Sequence, residues 1–256
     1  MSAVLNHPQT ILITGASSGI GAALAEGYAA PGVTLILTAR NNQRLEEVAE
    51  RCRTKGAQVQ LATVDVTDKL GLAEFIKRMD DETPIDLVIA NAGISSGSFE
   101  GTESLEAAEK VFAVNLDGVI NTIHPLIPLM SARGRGQIAI MSSLAGICAL
   151  PGAPAYSASK AAVRFYGDAL RGMLKPHHVH VSVICPGWIT TPLTDKNNFP
   201  MPFIMPVERA IHIIMRNLQK KKARIAFPLT LYFLLRILAI LPVFLSDSFF
   251  ARLPKK

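Results

Sequence analysis

Tyr156 and Lys160 are the two side chains whose types and spacing could carry out acid–base chemistry. They stand four residues apart in Tyr-Ser-Ala-Ser-Lys, and residues four apart lie on one face of a helix. A free phenol titrates near pH ~10, but a nearby fixed cation favours its ionised form and lowers its pKa. The pair therefore predicts a tyrosine that exchanges a proton near neutral pH. The spacing alone is a weak signal, because an exposed aromatic residue beside a surface lysine looks the same.

A glycine-rich turn near the start of the chain is a second chemical signal. Ile11-Leu12-Ile13 is typical of a short buried strand and leads through Thr-Gly-Ala-Ser-Ser-Gly-Ile-Gly into good helix formers. Gly15 permits the tight turn, Gly19 lets the backbone approach a pyrophosphate, and Gly21 lets the helix pack against the strand. Amide groups at the helix start would bind phosphates, so the segment predicts a dinucleotide site. The spacing differs from the commoner Gly-x-Gly-x-x-Gly, and a merely flexible loop is the alternative.

Further short motifs follow in a fixed order. They are Asn91-Ala92-Gly93 after an apolar run, Asn115 in Val-Asn-Leu, Ser143 thirteen residues before Tyr156, and Pro186-Gly187 followed by Thr191. Together with the glycine turn, these motifs resemble the short-chain dehydrogenase/reductase family over about residues 9 to 228. The resemblance implies an α/β protein with a single-domain Rossmann fold.

The resemblance also implies a reaction, hydride transfer between nicotinamide C4 and a carbonyl or secondary alcohol carbon. Tyr156 would donate or accept the proton. Lys160 would lower the pKa of Tyr156 and hold the nicotinamide ribose hydroxyls, Ser143 would hydrogen-bond the substrate oxygen, and Asn115 would support a water relay. These groups are needed together because hydride arrival makes an alkoxide that must be protonated at once. The alternative is an NADPH-binding redox sensor or scaffold without significant turnover, which a complete tetrad disfavours.

The choice of cofactor depends on the end of the second predicted strand, Thr38-Ala39-Arg40. NAD enzymes usually place an acidic residue there, whereas the Arg40 guanidinium can pair with a 2′-phosphate. NADP(H) is therefore predicted in preference to NAD(H), and the alternative is that Arg40 simply opens a solvated helix. In the family, Asp65-Val66 would contact the adenine. The full predicted cofactor-binding set is Gly15, Ser17, Ser18, Gly19, Ile20, Gly21, Arg40, Asp65, Val66, Asn91, Ala92, Gly93, Tyr156, Lys160, Pro186, Gly187, Ile189 and Thr191.

The elements that must position these residues alternate along the chain. Near-continuous apolar runs are typical of parallel strands covered on both faces. We expect a doubly wound, seven-stranded parallel sheet with the ligand across the carboxyl ends of the strands. The predicted strands are 11–14, 34–39, 58–64, 87–91, 137–142, 180–184 and 224–227, and the predicted helices are 19–29, 43–55, 69–79, 105–130, 155–174 and 207–219.

The chain after residue 228 is unusually apolar. Residues 231 to 245 contain Arg236 as the only charge and Pro242 as the only strong helix breaker. As a helix this run would reach about 22 Å, short of a ~30 Å hydrocarbon core. We therefore expect residues 229–256 to form an apolar helical extension of the domain at 1–228, with peripheral membrane contact through 229–252 favoured by flanking basic residues. A buried subunit interface or a lid over the substrate cleft is the alternative.

A second apolar segment stands where this family carries its substrate lid, at about 192–206. Its apolar side chains predict an adaptable pocket for a lipophilic carbonyl or alcohol. The family resemblance further implies a homodimer formed through the helices at 105–130 and 155–174. The pocket residues expected from the lid are Phe199, Met201, Phe203, Ile204 and Met205.

Composition excludes several other classes. The net charge is +6, but the basic run Lys220-Lys221-Lys222 has no interleaved stacking aromatic, so we expect no nucleic-acid partner. The tract His177-His178-Val179-His180 lacks acidic or cysteine partners at ligand spacing, so we expect no metal site. Three cysteines without a disulfide framework and no signal-peptide pattern predict a cytoplasmic protein, with peripheral contact to the inner face of a membrane.

Overall fold

The computed structural model describes residues 8–95, 103–149, 151–195, 197 and 199–242. Its centre is a parallel sheet of seven strands in the order β3-β2-β1-β4-β5-β6-β7, which confirms the predicted fold. Strand order reverses between β1 and β4, so the crevice at their carboxyl ends is the expected place for a ligand. The strands are β1 (Thr10–Thr14), β2 (Thr34–Ala39), β3 (Gln58–Thr63), β4 (Leu87–Ala90), β5 (Gly136–Met141), β6 (Val179–Pro186) and β7 (Arg224–Phe227).

Both faces of this sheet are buried, which explains the near-continuous apolar runs. Along β1, Ile11 and Ile13 point into one core cluster, while Leu12 points into the other. Successive side chains of a strand alternate between faces, so every position must be apolar when helices cover both sides. Leu87 and Val88 of β4 divide between the two clusters in the same way.

Helices cover the sheet in two layers. The α1, α2 and α8 helices pack against the face that carries Ile13, and α3, α5, α6 and α7 pack against the face that carries Leu12. The helices are α1 (Gly19–Tyr28), α2 (Asn42–Arg53), α3 (Lys69–Glu82), α4 (Leu105–Phe112), α5 (Gly118–Ile123), α6 (Leu126–Ala132), α7 (Pro154–Leu174), α8 (Val207–Gln219) and α9 (Leu229–Leu238).

The predicted helix at 105–130 is wrong as a single element. A π-helical turn at Ala113–Asp117 separates α4 from α5, and Pro125 separates α5 from α6. Proline has no backbone N–H to donate within a helix, so α5 ends there. The π turn carries Asn115, in keeping with the frequent use of such turns at functional sites.

The C-terminal helix is shorter than the apolar run that predicted it. Helix α9 ends at Leu238, and the chain then turns through residues 239–241 before Pro242. Because Pro242 cannot donate a helical hydrogen bond and disfavours a helical residue before it, the helix cannot continue across it. The expected extension beyond 242 lies outside the described residues. None of the described helices has both the length and the apolar character needed to span a membrane.

Candidate active site

The glycine turn after β1 is clamped to the end of β4. Asn91 Nδ2 donates a hydrogen bond to the carbonyl of Thr14 at 3.0 Å, and the backbone N–H groups of Asn91 and Ala92 donate to Thr14 Oγ1 at 3.1 and 3.2 Å. Gly15 has φ +67°, and a Cβ there would lie 2.8 Å from Ala92 Cα. Only glycine fits this close approach. The clamp fixes the turn at the reversal point of the sheet.

Helix α1 leaves this turn with its N-terminus free of side-chain caps. Ser18 is the N-cap residue, but its side chain makes no capping hydrogen bond. A Cβ on Gly21 would lie 2.3 Å from the carbonyl oxygen of Gly15, so the helix packs directly on the turn. The unsatisfied N–H groups and the positive end of the helix dipole suit an anionic ligand such as a pyrophosphate.

Charged side chains gather where β2 and β3 end. The Nη1 atom of Arg40 lies 3.7 Å from Asp65 Oδ2. Asp65 Oδ1 also accepts hydrogen bonds from the N–H and hydroxyl of Thr67, at 3.0 and 2.9 Å. Burial acts to raise the pKa of Asp65, but the bonds from Thr67 and the charge of Arg40 outweigh it, so the pKa lies below its usual value. Asp65 is therefore ionised at neutral pH.

Tyr156 and Ser143 meet at the carboxyl end of β5. Ser143 begins the short 3₁₀ turn after β5, where its Oγ accepts a hydrogen bond from the N–H of Ala145 at 3.1 Å. Tyr156 lies in the first turn of α7 and shares a hydrogen bond with Ser143. Burial raises the pKa of the phenol, and the bond with Ser143 opposes this rise only in part.

Lys160 lies one turn further along α7 and is almost completely buried. Its Nζ atom donates to the carbonyl of Met141 at 3.0 Å and stands 5.8 Å from the ring centroid of Tyr156. Burial lowers the pKa of Lys160 to about 8. Burial is thus the largest influence on the pKa of both groups, and the lowering of the Tyr156 pKa by Lys160 stays a prediction.

Asn115 is fully buried behind this pair. Its Oδ1 accepts from the N–H of Ile94 at 2.8 Å, and its Nδ2 donates to the carbonyl of Ile94 at 2.9 Å and to Ser159 Oγ at 3.1 Å. The side chain thus ties the segment after β4 to α7. A Cβ on Gly93 would lie 3.2 Å from both Asn115 Oδ1 and Lys160 Nζ, so the loop passes very close to both groups.

These groups surround a cavity of about 920 Å³. All the predicted site residues line it except Gly21 and Asn115, which lie behind its wall and hold it in place. The cavity runs from Arg40 at one end, past the glycine turn, to Tyr156 and an apolar region beyond it. Such a cleft can hold an extended dinucleotide with its reactive ring beside a phenol.

Comparison with known proteins agrees with this geometry. A family model described as short chain dehydrogenase matches residues 9–201. The chain belongs to the short-chain dehydrogenase family. An uncharacterised oxidoreductase from Myxococcus xanthus is 35% identical over 246 residues, which cover 96% of this chain and 97% of that protein. Membership makes this chain an oxidoreductase that acts on CH–OH or C=O groups.

Two solved structures resemble the whole fold. A short-chain dehydrogenase from Sphingobium yanoikuyae in complex with NADPH has a TM-score of 0.81 and 26% identity, with 96% of each chain covered. A short-chain dehydrogenase/reductase from Burkholderia phymatum in complex with NAD has a TM-score of 0.82 at 22% identity, covering 97% of this chain and 96% of that one. The two complexes hold different cofactors, so similarity to them does not indicate which cofactor this short-chain dehydrogenase prefers. That preference must be argued from its own residues.

In this short-chain dehydrogenase the lid contributes fewer pocket residues than its sequence predicts. Phe199 and Phe203 line the cavity, and Phe199 stacks edge-on against Trp188 with ring centroids 5.5 Å apart. Met205 instead is buried in the core and pairs with Ile189 through a β-bridge. Met201 and Ile204 also do not line the cavity. Bridge formation at 205 turns that side chain toward the sheet, which sequence composition does not reveal.

Sequence reasoning missed several residues that line the cavity of this dehydrogenase. Arg44 stands at the Arg40 end, four residues further on, in the first turn of α2, where its N–H donates to the Asn41 side chain at 2.9 Å. Asparagine before a helix is a recognised N-cap, so this signal was available. Trp188 follows the Pro-Gly motif directly. The cavity residues missed include Asn41, Arg44, Trp188, Leu231, Leu234, Leu235 and Leu238.

The last four of these belong to α9, which forms one wall of the cavity. Their spacing of three, four and seven residues places them on one face of a helix. Leu231 and Leu235, with Tyr232, also pack against Leu144 and Cys185. The inner face of α9 therefore covers the cleft. This agrees with the alternative in which the C-terminal segment closes over the cleft, and it leaves only the outer face of α9 for membrane contact.

Proposed function

We propose that this short-chain dehydrogenase transfers a hydride between NADP(H) and a lipophilic carbonyl compound or secondary alcohol. The observation that carries the proposal is the place of Tyr156 in the cavity. The phenol and Ser143 lie between a polar region rich in backbone N–H groups and an apolar region lined by Trp188, Phe199 and α9. The first region suits a dinucleotide, and the second suits an apolar substrate.

The described residues fit a nicotinamide dinucleotide. The turn at Gly15, Ser17, Ser18, Gly19 and Ile20 would hold the pyrophosphate. When bound, the nicotinamide would supply or accept the hydride. The carboxamide end would lie against the Pro-Gly segment and the ribose near Lys160. Beyond the turn, the remaining contacts would come from Asp65, Val66, Asn91, Ala92, Gly93, Pro186, Gly187, Ile189 and Thr191, which line the same cavity.

In the reductive direction, Tyr156 donates its phenolic proton to the substrate oxygen as negative charge develops there. The raised pKa of Tyr156 keeps the phenol protonated at neutral pH, as a general acid requires. Ser143 donates a second hydrogen bond to the same oxygen and so stabilises the developing charge. Asn115 does not touch the substrate oxygen in this scheme. It acts by holding the Ile94 backbone and α7 at a fixed separation.

The preference for NADP(H) rests on the pair Arg40 and Arg44, which line the same end of the cavity. Two guanidinium groups can make charge-assisted hydrogen bonds to a 2′-phosphate. Asp65 is the only carboxylate on the described cavity wall, and it is occupied by Thr67 and Arg40. The carboxylate that would accept a hydrogen bond from a free 2′-hydroxyl is therefore already partly engaged by Thr67 and Arg40.

We also propose a homodimer formed through α4 and α7. Leu105 of α4, with Phe165 and Met173 of α7, exposes large apolar side chains outside the active-site cavity. Burying such side chains in a subunit contact is favourable by about 1.5–3 kcal/mol each. Light scattering after gel filtration tests this assembly, and a monomer at micromolar concentration would contradict it.

The outer face of α9 supports a further proposal, peripheral contact with a lipid surface on the cytoplasmic side. Leu229, Phe233, Ile237 and Ile240 are exposed, whereas the inner leucines line the cavity. A helix of ten residues is about 15 Å long. It can lie in the interfacial region of a membrane but is too short to cross the bilayer. The three cysteines are free and buried, in keeping with a reducing compartment. On this proposal, residues 1–228 form the catalytic unit and 229 onward an extension of it.

The direct test is oxidation of NADPH and NADH with a panel of hydrophobic ketones and aldehydes. We expect turnover that favours NADPH. The rival function, a redox sensor or scaffold, predicts tight NADPH binding without turnover across a broad panel. Binding is measured by the fluorescence change of NADPH, so the two outcomes separate cleanly.

A further inference from the structure

The apolar end of the cavity has two walls of different origin. One wall comes from the segment after β6 and carries Trp188, Phe199 and Phe203, and the other is the inner face of α9. Within the described part of the chain, the charged side chains on the cavity lining are Arg40, Arg44, Asp65 and Lys160, and none of them belongs to either wall. The segment after β6 also contributes the polar side chains of Thr191, Thr194 and Asn197 to the cavity lining. The described walls thus carry no charged side chain and are mainly, though not entirely, hydrocarbon and aromatic surface.

The α9 wall is fixed relative to the reacting groups. Leu231 and Leu235 pack against Leu144, the residue that directly follows Ser143. At the start of the helix, a Cβ on Gly187 would lie 3.0 Å from the ring of Pro228, so the two segments are in close contact. A ligand oxygen held by Ser143 would thus have its carbon chain at a defined distance from each leucine of α9.

The space between these two walls, called the channel below, reaches the solvent. Leu234 and Phe203 both line the cavity, yet 48% and 57% of their surfaces are exposed to solvent. Phe203 also has φ +59°, a left-handed conformation that is costly for a bulky residue. The chain nevertheless keeps this ring on the cavity lining and partly in solvent. A ligand longer than the channel would reach solvent past these two exposed side chains, which we call the mouth of the channel.

We infer that the substrate is an elongated apolar carbonyl or alcohol whose chain lies between the lid and α9, and that Leu234 at the mouth of the channel determines chain-length specificity. This inference rests on the proposed function for the position of the reacting oxygen. Each methylene that enters the channel should tighten binding by about fourfold, the equivalent of ~0.8 kcal/mol. Once the chain passes Leu234, further methylenes should add much less.

Trp188 provides a readout that needs no turnover. It is the only tryptophan of the chain, it lines the channel, and it contacts Phe199. With saturating NADP⁺ present, 2-alkanones from 2-butanone to 2-dodecanone are titrated while Trp188 emission is followed. We expect the dissociation constant to fall steeply with chain length and then level off. Equal dissociation constants for short and long alkanones would overturn the inference.

Two adjacent residues give a matched pair of variants. Leu234→Asp places a carboxylate at the mouth, where Leu234 is 48% exposed. Phe233→Asp places one at a neighbouring side chain that is 59% exposed but does not line the cavity. We expect Leu234→Asp to weaken 2-dodecanone binding by at least tenfold and leave 2-butanone unchanged, and Phe233→Asp to match the unmodified protein. Identical behaviour of the two variants would also overturn the inference. Thermal unfolding of both confirms that each is folded.

Binding titrations with NADP⁺, together with turnover assays of the same 2-alkanones with NADPH, separate this inference from the proposed function. Alkanones that bind with a chain-length dependence, but do not oxidise NADPH, would refute the proposed reaction and leave the channel assignment intact. Turnover of short and long ketones with the same kcat/KM would refute the channel and leave the reaction intact.

Discussion

The two ends of the cavity are built in different ways. At the cofactor end, the glycine turn is held by backbone and side-chain hydrogen bonds between Thr14 and Asn91, on strands that are completely buried. At the substrate end, the walls are apolar side chains from α9 and the lid, and Leu234 and Phe203 remain largely exposed. The first end allows almost no change of residue type, whereas the second requires only apolar volume.

This contrast predicts that substitutions near the reacting atoms act on turnover, whereas substitutions at the apolar end act on substrate choice. The largest expected effect is that of Tyr156→Phe. Removal of the phenolic proton should lower kcat for ketone reduction by about 10²–10⁴-fold, the usual contribution of a general acid. NADPH binding should change little, because the ring is retained. The measurement is steady-state NADPH oxidation, with the dissociation constant of NADPH followed by fluorescence.

Tyr166→Phe is the matched control for that variant. Tyr166 lies on the same helix, but it packs against the core cluster beneath α7 and does not line the cavity. It should keep kcat within about twofold. Turnover of Tyr156→Phe at the level of Tyr166→Phe would show that another group supplies the proton.

The next largest effect concerns the opposite end of the cavity. Arg40→Asp should remove the guanidinium that we propose pairs with a 2′-phosphate, and it should place a carboxylate where a ribose hydroxyl could donate to it. A hydrogen bond to a charged group contributes about 1.5–3 kcal/mol, so the ratio of kcat/KM for NADPH to that for NADH should fall by about 10–150-fold. Steady-state kinetics with both cofactors and one ketone measure this ratio.

Arg51→Asp controls for the change of net charge. Arg51 lies on α2, the helix that follows Arg40, but it pairs with Glu26 at 2.9 Å and does not line the cavity. It should leave the cofactor ratio unchanged. An equal shift in both variants would mean that the preference for NADPH is set by long-range charge and does not depend on a direct contact with Arg40.

A smaller effect concerns the pH dependence of NADPH binding through Lys160, which lies between the two ends of the cavity. Burial places the pKa of Lys160 at about 8 in the free protein. The ammonium is present below this pH and is lost as the pH rises through it. If Lys160 binds the ribose as a cation, the dissociation constant of NADPH should rise above pH 8, by no more than about tenfold per pH unit.

Two variants assign this pH dependence. In Tyr156→Phe the rise above pH 8 should persist, because the phenol is not responsible for it. In Lys160→Met binding should be weaker and nearly independent of pH in this range. A rise that survives in Lys160→Met would assign the titration to another group.

The same contrast explains what the sequence could predict. Gly15, Asn91, Ser143, Tyr156 and Lys160 were located by motif because each occupies a position where backbone geometry or chemistry admits few residue types. The lid was predicted less well, since Met205 and Phe203 are both apolar but only Phe203 faces the cavity. Composition does not show that a β-bridge turns Met205 inward.

The C-terminal helix shows the same limit from another direction. Its apolar run predicted burial of some kind, but a lid, a subunit interface and a lipid surface all require the same residue types. The spacing of Leu231, Leu234, Leu235 and Leu238 defines one face of the helix, but only the packing against Leu144 shows which element that face contacts. Tertiary contact, and not local pattern, decides between the alternatives.

The smallest expected effect on turnover comes from the outer face of α9. The double variant Phe233→Ser with Ile237→Ser changes two exposed side chains that do not line the cavity, so kcat/KM for a short ketone should stay within about twofold. Flotation with anionic liposomes should nevertheless decrease strongly, because these side chains would supply apolar contact with the lipid. Leu70→Ser, at an 80% exposed leucine on α3, is the control and should float like the unmodified protein. Equal flotation of all three proteins would exclude lipid contact through this face. A large loss of turnover in the double variant would instead show that the outer face takes part in the site, and the separation between the two faces of α9 would not hold.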